Sequence, residues 1–273
     1  MAMNSDHPLL ASNMTLKRSR VVGVPVEWIE PKTKSPQPVL LYLHGGGWAL
    51  GLNNGYRWLA SQICRASSTR ALLVDYRLTP EYPFPTGLQD CLSVYRWLLQ
   101  MEVPPRQIVI AGDSAGGNLT LARLLTLRDN GEFLPAAGIC LSALTDLSCS
   151  GETYATLRDP LLPTQFIQDL IRLYVGNRDA HDQLLSPLYG DLRGLPPLLI
   201  QVGGNEILLS DSVRFAERAR LADVAVTLEI SEGMGHVWQV FTPLVPEAKQ
   251  AVQSIGDFVQ KHVETHKQHD TPS

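Results

Sequence analysis

The chain of 273 residues contains little charge and little cysteine. Charged residues make up 18% of it, and the formal net charge is -4. Proteins that bind nucleic acid or acidic membranes carry clustered Lys and Arg, so this balance indicates neither partner. The four cysteines have no C-x-x-C spacing and most lie in apolar contexts. They are therefore expected to be buried free thiols in a reducing compartment.

The chain also lacks a long apolar run. No stretch reaches membrane-spanning length, so no membrane span is expected. Residues 1–16 do not combine a basic start with an apolar core, the pattern of a secretory signal. The expected location is cytoplasmic. The length and the 44% hydrophobic content suit one α/β domain over residues 1–273.

Short apolar runs alternate with helical patterns along most of the chain. This alternation predicts the α/β class, with a mostly parallel, doubly wound central sheet. The alternation of strands and helices stops at 145–186, where helical stretches occur without a convincing strand. We interpret these residues as a small helical cap inserted over the site. The expected strands are 14–22, 24–30, 39–43, 71–74, 107–111, 137–142, 198–203 and 225–230.

The segment Gly112-Asp-Ser-Ala-Gly116 has the pattern G-x-S-x-G between an apolar strand and a helical stretch. This context predicts a nucleophile elbow, with Ser114 exposed at the carboxyl edge of the sheet. Its two glycines leave room for a turn in which a Cβ would clash. A glycine-serine turn without chemistry is the alternative, and the flanking strand and helix favour a nucleophile.

A nucleophilic serine needs a base, and a carboxylate that orients the base. His236 lies on a glycine-bearing loop after a late strand and fits the chain order serine, acid, histidine. Two acids follow the strand 198–203, namely Glu206 and Asp211. Position favours Glu206, because a carboxylate at a helix start such as Asp211 is often only a cap.

The run His44-Gly-Gly-Gly47 matches the H-G-G-G oxyanion loop. Bare glycines let two backbone N–H groups face one developing oxyanion. The N–H of Ala115, just after the nucleophile, is expected to be a third donor.

Taken together, these motifs resemble those of the bacterial hormone-sensitive-lipase-like esterases, family IV of the α/β-hydrolase fold. The resemblance rests on His44-Gly-Gly-Gly-Trp48, on the proline-rich segment 75–85 and on the Gly-Asp-Ser-Ala-Gly-Gly form at 112–117, and it spans about residues 14–263.

The resemblance implies hydrolysis of carboxylic esters of short to medium acyl chains. It implies Ser114 as nucleophile, His236 as base and Gly45, Gly46 and Ala115 as oxyanion donors, with no metal or organic cofactor. The expected partner is a small-molecule ester. A homodimer through about residues 225–263 is possible by the same analogy.

The chain departs from the family pattern at two places. The acid position reads Glu206-Ile-Leu, where family members often carry Asp-Pro-Leu. Only 43 residues precede the glycine loop, so the N-terminal portion of the cap is expected to be shortened.

Other activities use the same triad. A lactonase, thioesterase, amidase or sugar-ester deacetylase is possible, and some proteins of this fold are non-catalytic receptors of small molecules. Such receptors tend to lose the base, so His236 disfavours a receptor.

Overall fold

The computed structural model describes residues 10–32, 37–242 and 244–263, and an eight-stranded sheet forms its centre. The order across the sheet is β1-β2-β4-β3-β5-β6-β7-β8. β1, β2 and β4 pair antiparallel, and every other pair is parallel. The strands are β1 (Met14–Val21), β2 (Val24–Pro31), β3 (Val39–Leu43), β4 (Arg70–Val74), β5 (Ile108–Asp113), β6 (Ala137–Leu141), β7 (Leu198–Gly203) and β8 (Val226–Ser231).

The helices cover both faces of the sheet, which confirms the predicted α/β-hydrolase fold. No helix within the described ranges is long and apolar enough to cross a membrane. The helices are α1 (Asn54–Ser67), α2 (Thr86–Gln100), α3 (Ala115–Asp129), α4 (Thr153–Thr156), α5 (Thr164–Val175), α6 (Leu209–Leu221) and α7 (Pro246–His262).

The inner strands are buried because helices lie on both sides of them. In β3, Leu41 packs into the core that holds α2, α3 and α6, while Leu40 and Tyr42 pack into the core that holds α1 and α7. All four cysteines are free thiols. Three of them are buried and Cys149 is half-buried.

A hairpin of β1 and β2 forms one edge of the sheet. It turns at Val22 and Gly23, whose φ angles are 46° and 85°. Positive φ at both residues suits a two-residue hairpin turn. This turn separates the two strands that the sequence predicts at 14–22 and 24–30. The sequence predicts a shortened N-terminal portion of the cap. Residues 1–9 of that portion lie outside the described residues.

Parallel strands place the candidate residues on one edge of the sheet. Ser114 follows β5, Glu206 lies between β7 and α6, and His236 follows β8. Since the carboxyl ends of parallel strands meet at one edge, residues distant in sequence converge there.

The segment 145–186, here called the inserted segment, connects β6 to β7 and holds α4 and α5. It packs on the glycine loop that follows β3. The Tyr174 ring stacks on Trp48 at a centroid distance of 4.1 Å. The side chain of Leu170 fills the space where Gly47 would carry a Cβ. The inserted segment therefore fixes the outer side of that loop.

The turn from β5 into α3 is closely packed against the sheet. A Cβ on Gly112 would lie 2.2 Å from the carbonyl oxygen of Gly116, and one on Gly116 would lie 2.0 Å from the carbonyl oxygen of Leu43. No side chain fits in either space. The expected need for glycine at both positions agrees with this geometry.

Replacing Gly116 with alanine should destabilise the protein by about 3 kcal/mol or more, because two backbone segments must separate. Gly51→Ala is the matched control, since its Cβ would meet only Leu78 at 3.6 Å. It should change the free energy of unfolding by less than about 0.5 kcal/mol. Urea unfolding measures both values. Equal stability of the two variants would contradict the steric argument.

Candidate active site

Ser114 occupies a strained backbone position. Its φ and ψ are 52° and -120°, a region that side chains other than glycine rarely adopt. The N–H of Ser114 donates to the Leu141 carbonyl at 2.8 Å, and α3 begins at the next residue. A serine held in this way between a strand and a helix has the geometry of a nucleophile elbow.

His236 and Glu206 are hydrogen-bonded to each other. Nδ1 of His236 lies 2.7 Å from Oε2 of Glu206. A carboxylate only accepts hydrogen bonds, so this contact fixes the proton on Nδ1 and leaves Nε2 as the basic nitrogen. The imidazole is mostly enclosed, with 12% of the side chain exposed.

The Glu206 carboxylate is fully buried and held by further donors. Its Oε1 accepts the N–H of Gly203 at 2.6 Å and the hydroxyl of Ser142 at 2.7 Å. The Ser142 hydroxyl in turn accepts the N–H of Val237, the residue after the histidine. One serine therefore links the acid to the loop that carries the imidazole.

Opposing effects act on the pKa of His236. Burial lowers this pKa, but the hydrogen bond that His236 donates to Glu206 and the negative charges of Glu206, Asp159 and Asp113 raise it above its ordinary value. The imidazolium is therefore favoured by its surroundings despite the loss of water.

Asp211, the alternative acid, lies elsewhere. Its Oδ2 accepts the backbone N–H groups of Thr145 and Asp146 at 2.8 and 3.0 Å. Burial raises the pKa of Asp211 to about 7. Asp211 therefore fixes the start of the inserted segment, and the structure brings Glu206 rather than Asp211 to His236.

The structure does not support Gly45 as an oxyanion donor. Its N–H donates to Oδ1 of Asp113 at 3.0 Å, an oxygen that also accepts the Tyr42 hydroxyl at 2.7 Å. Burial raises the pKa of Asp113 to about 6, while these two donors and the positive charge of His236 lower it. The sequence could not show that a buried carboxylate takes up the first glycine N–H.

The N–H groups of the next two glycines are available as oxyanion donors instead. Gly46 and Gly47 have φ angles of +96° and +60°. Within the part of the chain that the structure describes, the N–H groups of Gly46, Gly47 and Ala115 have no hydrogen-bond acceptor. Free N–H groups of this kind, near a nucleophile, are what an oxyanion hole requires.

His44 has a structural environment. Its ring stacks on Tyr76 at 4.3 Å, and its Nδ1 lies 2.8 Å from the Gly45 carbonyl. Burial lowers the pKa of His44 to about 4, so the ring is neutral near pH 7. The Tyr76 hydroxyl donates to the His44 carbonyl at 2.7 Å, so the 75–85 segment braces the start of the glycine loop.

Sequence reasoning missed two residues of this site. Ser142 directly follows β6 without any motif around it. Asp159 comes from the inserted segment, where no periodic pattern fixes its position. One carboxylate oxygen of Asp159, one of Glu206 and a ring nitrogen of His236 lie within 4.8 Å of one another.

A family model described as alpha/beta hydrolase fold matches residues 40–240. A solved esterase of the bacterial hormone-sensitive lipase family superposes with a TM-score of 0.90. It is 45% identical, and the match covers 93% of this chain and 86% of that one. The chain belongs to this esterase family.

Relatives that are named for an esterase activity agree with this assignment. An acetyl-hydrolase of Streptomyces hygroscopicus is 41% identical over 236 residues, which cover 86% of this chain and 79% of that protein. An esterase of Acinetobacter venetianus is 38% identical over 242 residues, covering 88% and 80%. The prediction of a carboxylic ester hydrolase is confirmed.

Glu206→Gln should lower kcat of the esterase by ~10³-fold or more, because Ser142 and Gly203 hold the amide oxygen and the NH2 group then faces Nδ1, which favours the wrong tautomer. Asp211→Asn is the control, since its amide oxygen can still accept the two backbone N–H groups. That variant should keep kcat within about threefold of the wild type. Hydrolysis of p-nitrophenyl butyrate measures both. A deeper loss in Asp211→Asn than in Glu206→Gln would reverse the assignment.

Proposed function

We propose that this esterase is a serine carboxylesterase of short- to medium-chain esters, with Ser114 as nucleophile, His236 as base and Glu206 as acid. The observation that carries this proposal is the 2.7 Å bond between His236 Nδ1 and the buried Glu206 carboxylate. The strained backbone of Ser114 at the same edge of the sheet supports it.

In the first step, Nε2 of His236 takes the proton of the Ser114 hydroxyl as the oxygen attacks the ester carbonyl. A covalent bond forms between Ser114 Oγ and the acyl carbon. The alcohol leaves with the proton from the imidazolium. Glu206 holds the ring in the required tautomer and stabilises its positive charge.

The tetrahedral oxyanion would be held by the free backbone N–H groups of Gly46 and Ala115. The N–H of Gly47 replaces that of Gly45, the donor predicted from the sequence, because the Gly45 N–H already donates to Asp113. Each such donor contributes about 3 kcal/mol of transition-state stabilisation. In the second step, water attacks the acyl-enzyme by the same route and releases the acid. Neither step requires a metal or an organic cofactor.

The preference for small acyl groups is supported by the packing around the glycine loop. Leu170 fills the space beside Gly47, and the stacked Tyr174 and Trp48 rings fill the region beyond it. The Streptomyces relative is named as an acetyl-hydrolase. Lactones, thioesters and acetylated sugars remain the other substrate classes for the same triad.

A homodimer in the cytoplasm is the expected state of the esterase. β8 lies at an edge of the sheet, and Ile230 on it is 47% exposed. An open strand edge with an exposed apolar side chain suits pairing with a second copy.

Ser114→Ala should abolish turnover of p-nitrophenyl butyrate, because the acyl-enzyme cannot form. A fluorophosphonate should label the wild type at Ser114 and leave the variant unlabelled. Folding of the variant is checked by its thermal unfolding curve. Full turnover by the variant, or wild-type protein that does not react, would exclude the proposed mechanism and would favour a receptor.

Across p-nitrophenyl esters from acetate to dodecanoate, kcat/KM should be highest at or below hexanoate and should fall at least tenfold by dodecanoate. The filled space beside Gly47 is the physical reason. Leu170→Ala opens that space and should move the optimum to longer chains. A wild-type optimum at dodecanoate would contradict the preference for short chains.

A further inference from the structure

A second carboxylate approaches His236 from the inserted segment. Asp159 lies between α4 and α5 and is 4% exposed. One of its oxygens lies within 4.8 Å of both a ring nitrogen of His236 and an oxygen of Glu206. Asp159 therefore approaches the imidazole from the inserted segment, which carries none of the three residues of the proposed triad.

The two oxygens of Asp159 differ in their surroundings. Oδ1 accepts the backbone N–H groups of Leu161 and Leu162 at 2.9 and 3.2 Å. Oδ2 is buried and has no hydrogen-bond donor among the described residues. A buried carboxylate oxygen without a donor is costly unless a positive charge compensates it.

The proton that His236 takes from Ser114 supplies that charge during catalysis. The form of the ring that acts as a base is neutral, and in that form Asp159 has no ion-pair partner among the described residues. When the ring takes the proton from Ser114, a positive charge appears next to an uncompensated carboxylate. Stabilisation that arises only when charge develops lowers the barrier rather than the energy of the resting state.

We propose that Asp159 is a positioning residue that acts through His236, as a second carboxylate that stabilises the imidazolium during both acyl-transfer steps. This inference rests on the proposed function of Ser114, His236 and Glu206.

The charges around His236 support this role. Acidic groups face the ring from three elements: Glu206 from the loop after β7, Asp113 from the end of β5 and Asp159 from the inserted segment. On the loop of His236 itself, Glu232 is exposed. All three acids accept hydrogen bonds from uncharged donors, but of the three only Asp159 has a buried oxygen without a donor among the described residues.

The alternative is a purely structural role, in which Asp159 only fixes its own loop through Leu161 and Leu162. A metal ion is disfavoured as the purpose of the cluster, because both oxygens of Glu206 already accept hydrogen bonds. The structural role and the electrostatic role differ in whether the negative charge matters.

Asp159→Asn separates the two roles, because its amide oxygen can still accept both backbone N–H groups while the charge is lost. Without that charge the pKa of His236 falls. The base then stays neutral to lower pH, so the acid limb of kcat/KM should move down by about one pH unit. The maximal kcat on p-nitrophenyl butyrate should fall about tenfold. An unchanged acid limb would overturn the inference, whatever the value of kcat.

Three further variants complete the experiment. Asp159→Glu keeps the charge and should retain the wild-type acid limb. Asp159→Ser is a second neutral variant that should shift the limb if the asparagine variant does not fold. Asp169→Asn removes one charge from the exposed side of α5, where the carboxylate pairs with Arg172, and should leave the profile unchanged.

The outcomes also separate this inference from the proposed function. If wild-type Ser114 does not react with a fluorophosphonate, the triad itself is wrong. If Ser114 reacts and Asp159→Asn keeps the wild-type acid limb, only the role of Asp159 fails.

Discussion

The close contact between the elbow and the neighbouring strand is the constraint on which the site depends. Gly116 lies so near the Leu43 carbonyl that a single methyl group would not fit. This contact seats the start of α3 against the end of β3 and holds Ser114 at a positive φ. It also brings the glycine loop, which begins directly after β3, beside the nucleophile. A looser turn would separate the serine from the N–H groups that its reaction requires.

Three buried carboxylates surround one histidine, and their hydrogen bonds give them different tasks. Glu206 accepts three hydrogen bonds and holds the ring in one tautomer. Asp113 accepts a tyrosine hydroxyl and the Gly45 N–H, so it shapes the glycine loop. Asp159 has one oxygen without a donor, which leaves its charge available to the imidazolium. Equal side-chain chemistry thus gives unequal functions because the local donors differ.

The sequence predicts most of the fold because its signals are local. The buried strands are continuous apolar runs, and the elbow and the glycine loop are short motifs with fixed neighbours. The choice of Glu206 over Asp211 also follows from chain position, and the structure places Asp211 on the backbone of Thr145 and Asp146. The assignment of Gly45 as an oxyanion donor failed because it depends on a contact between distant segments. The Gly45 N–H is taken by Asp113, 68 residues away, and the glycine run alone does not reveal this.

The inserted segment contributes to the site in two ways. Its helix α5 packs Leu170 and Tyr174 against the glycine loop, so the positions of Gly47 and Trp48 depend on it. The loop before that helix buries Asp159 beside His236. Ser114, Glu206 and His236, the proposed nucleophile, acid and base, follow the sheet strands β5, β7 and β8. The inserted segment supplies apolar packing and one charge, so on the proposed mechanism changes in this segment should alter the acyl preference and the pKa of the base without moving Ser114, His236 and Glu206.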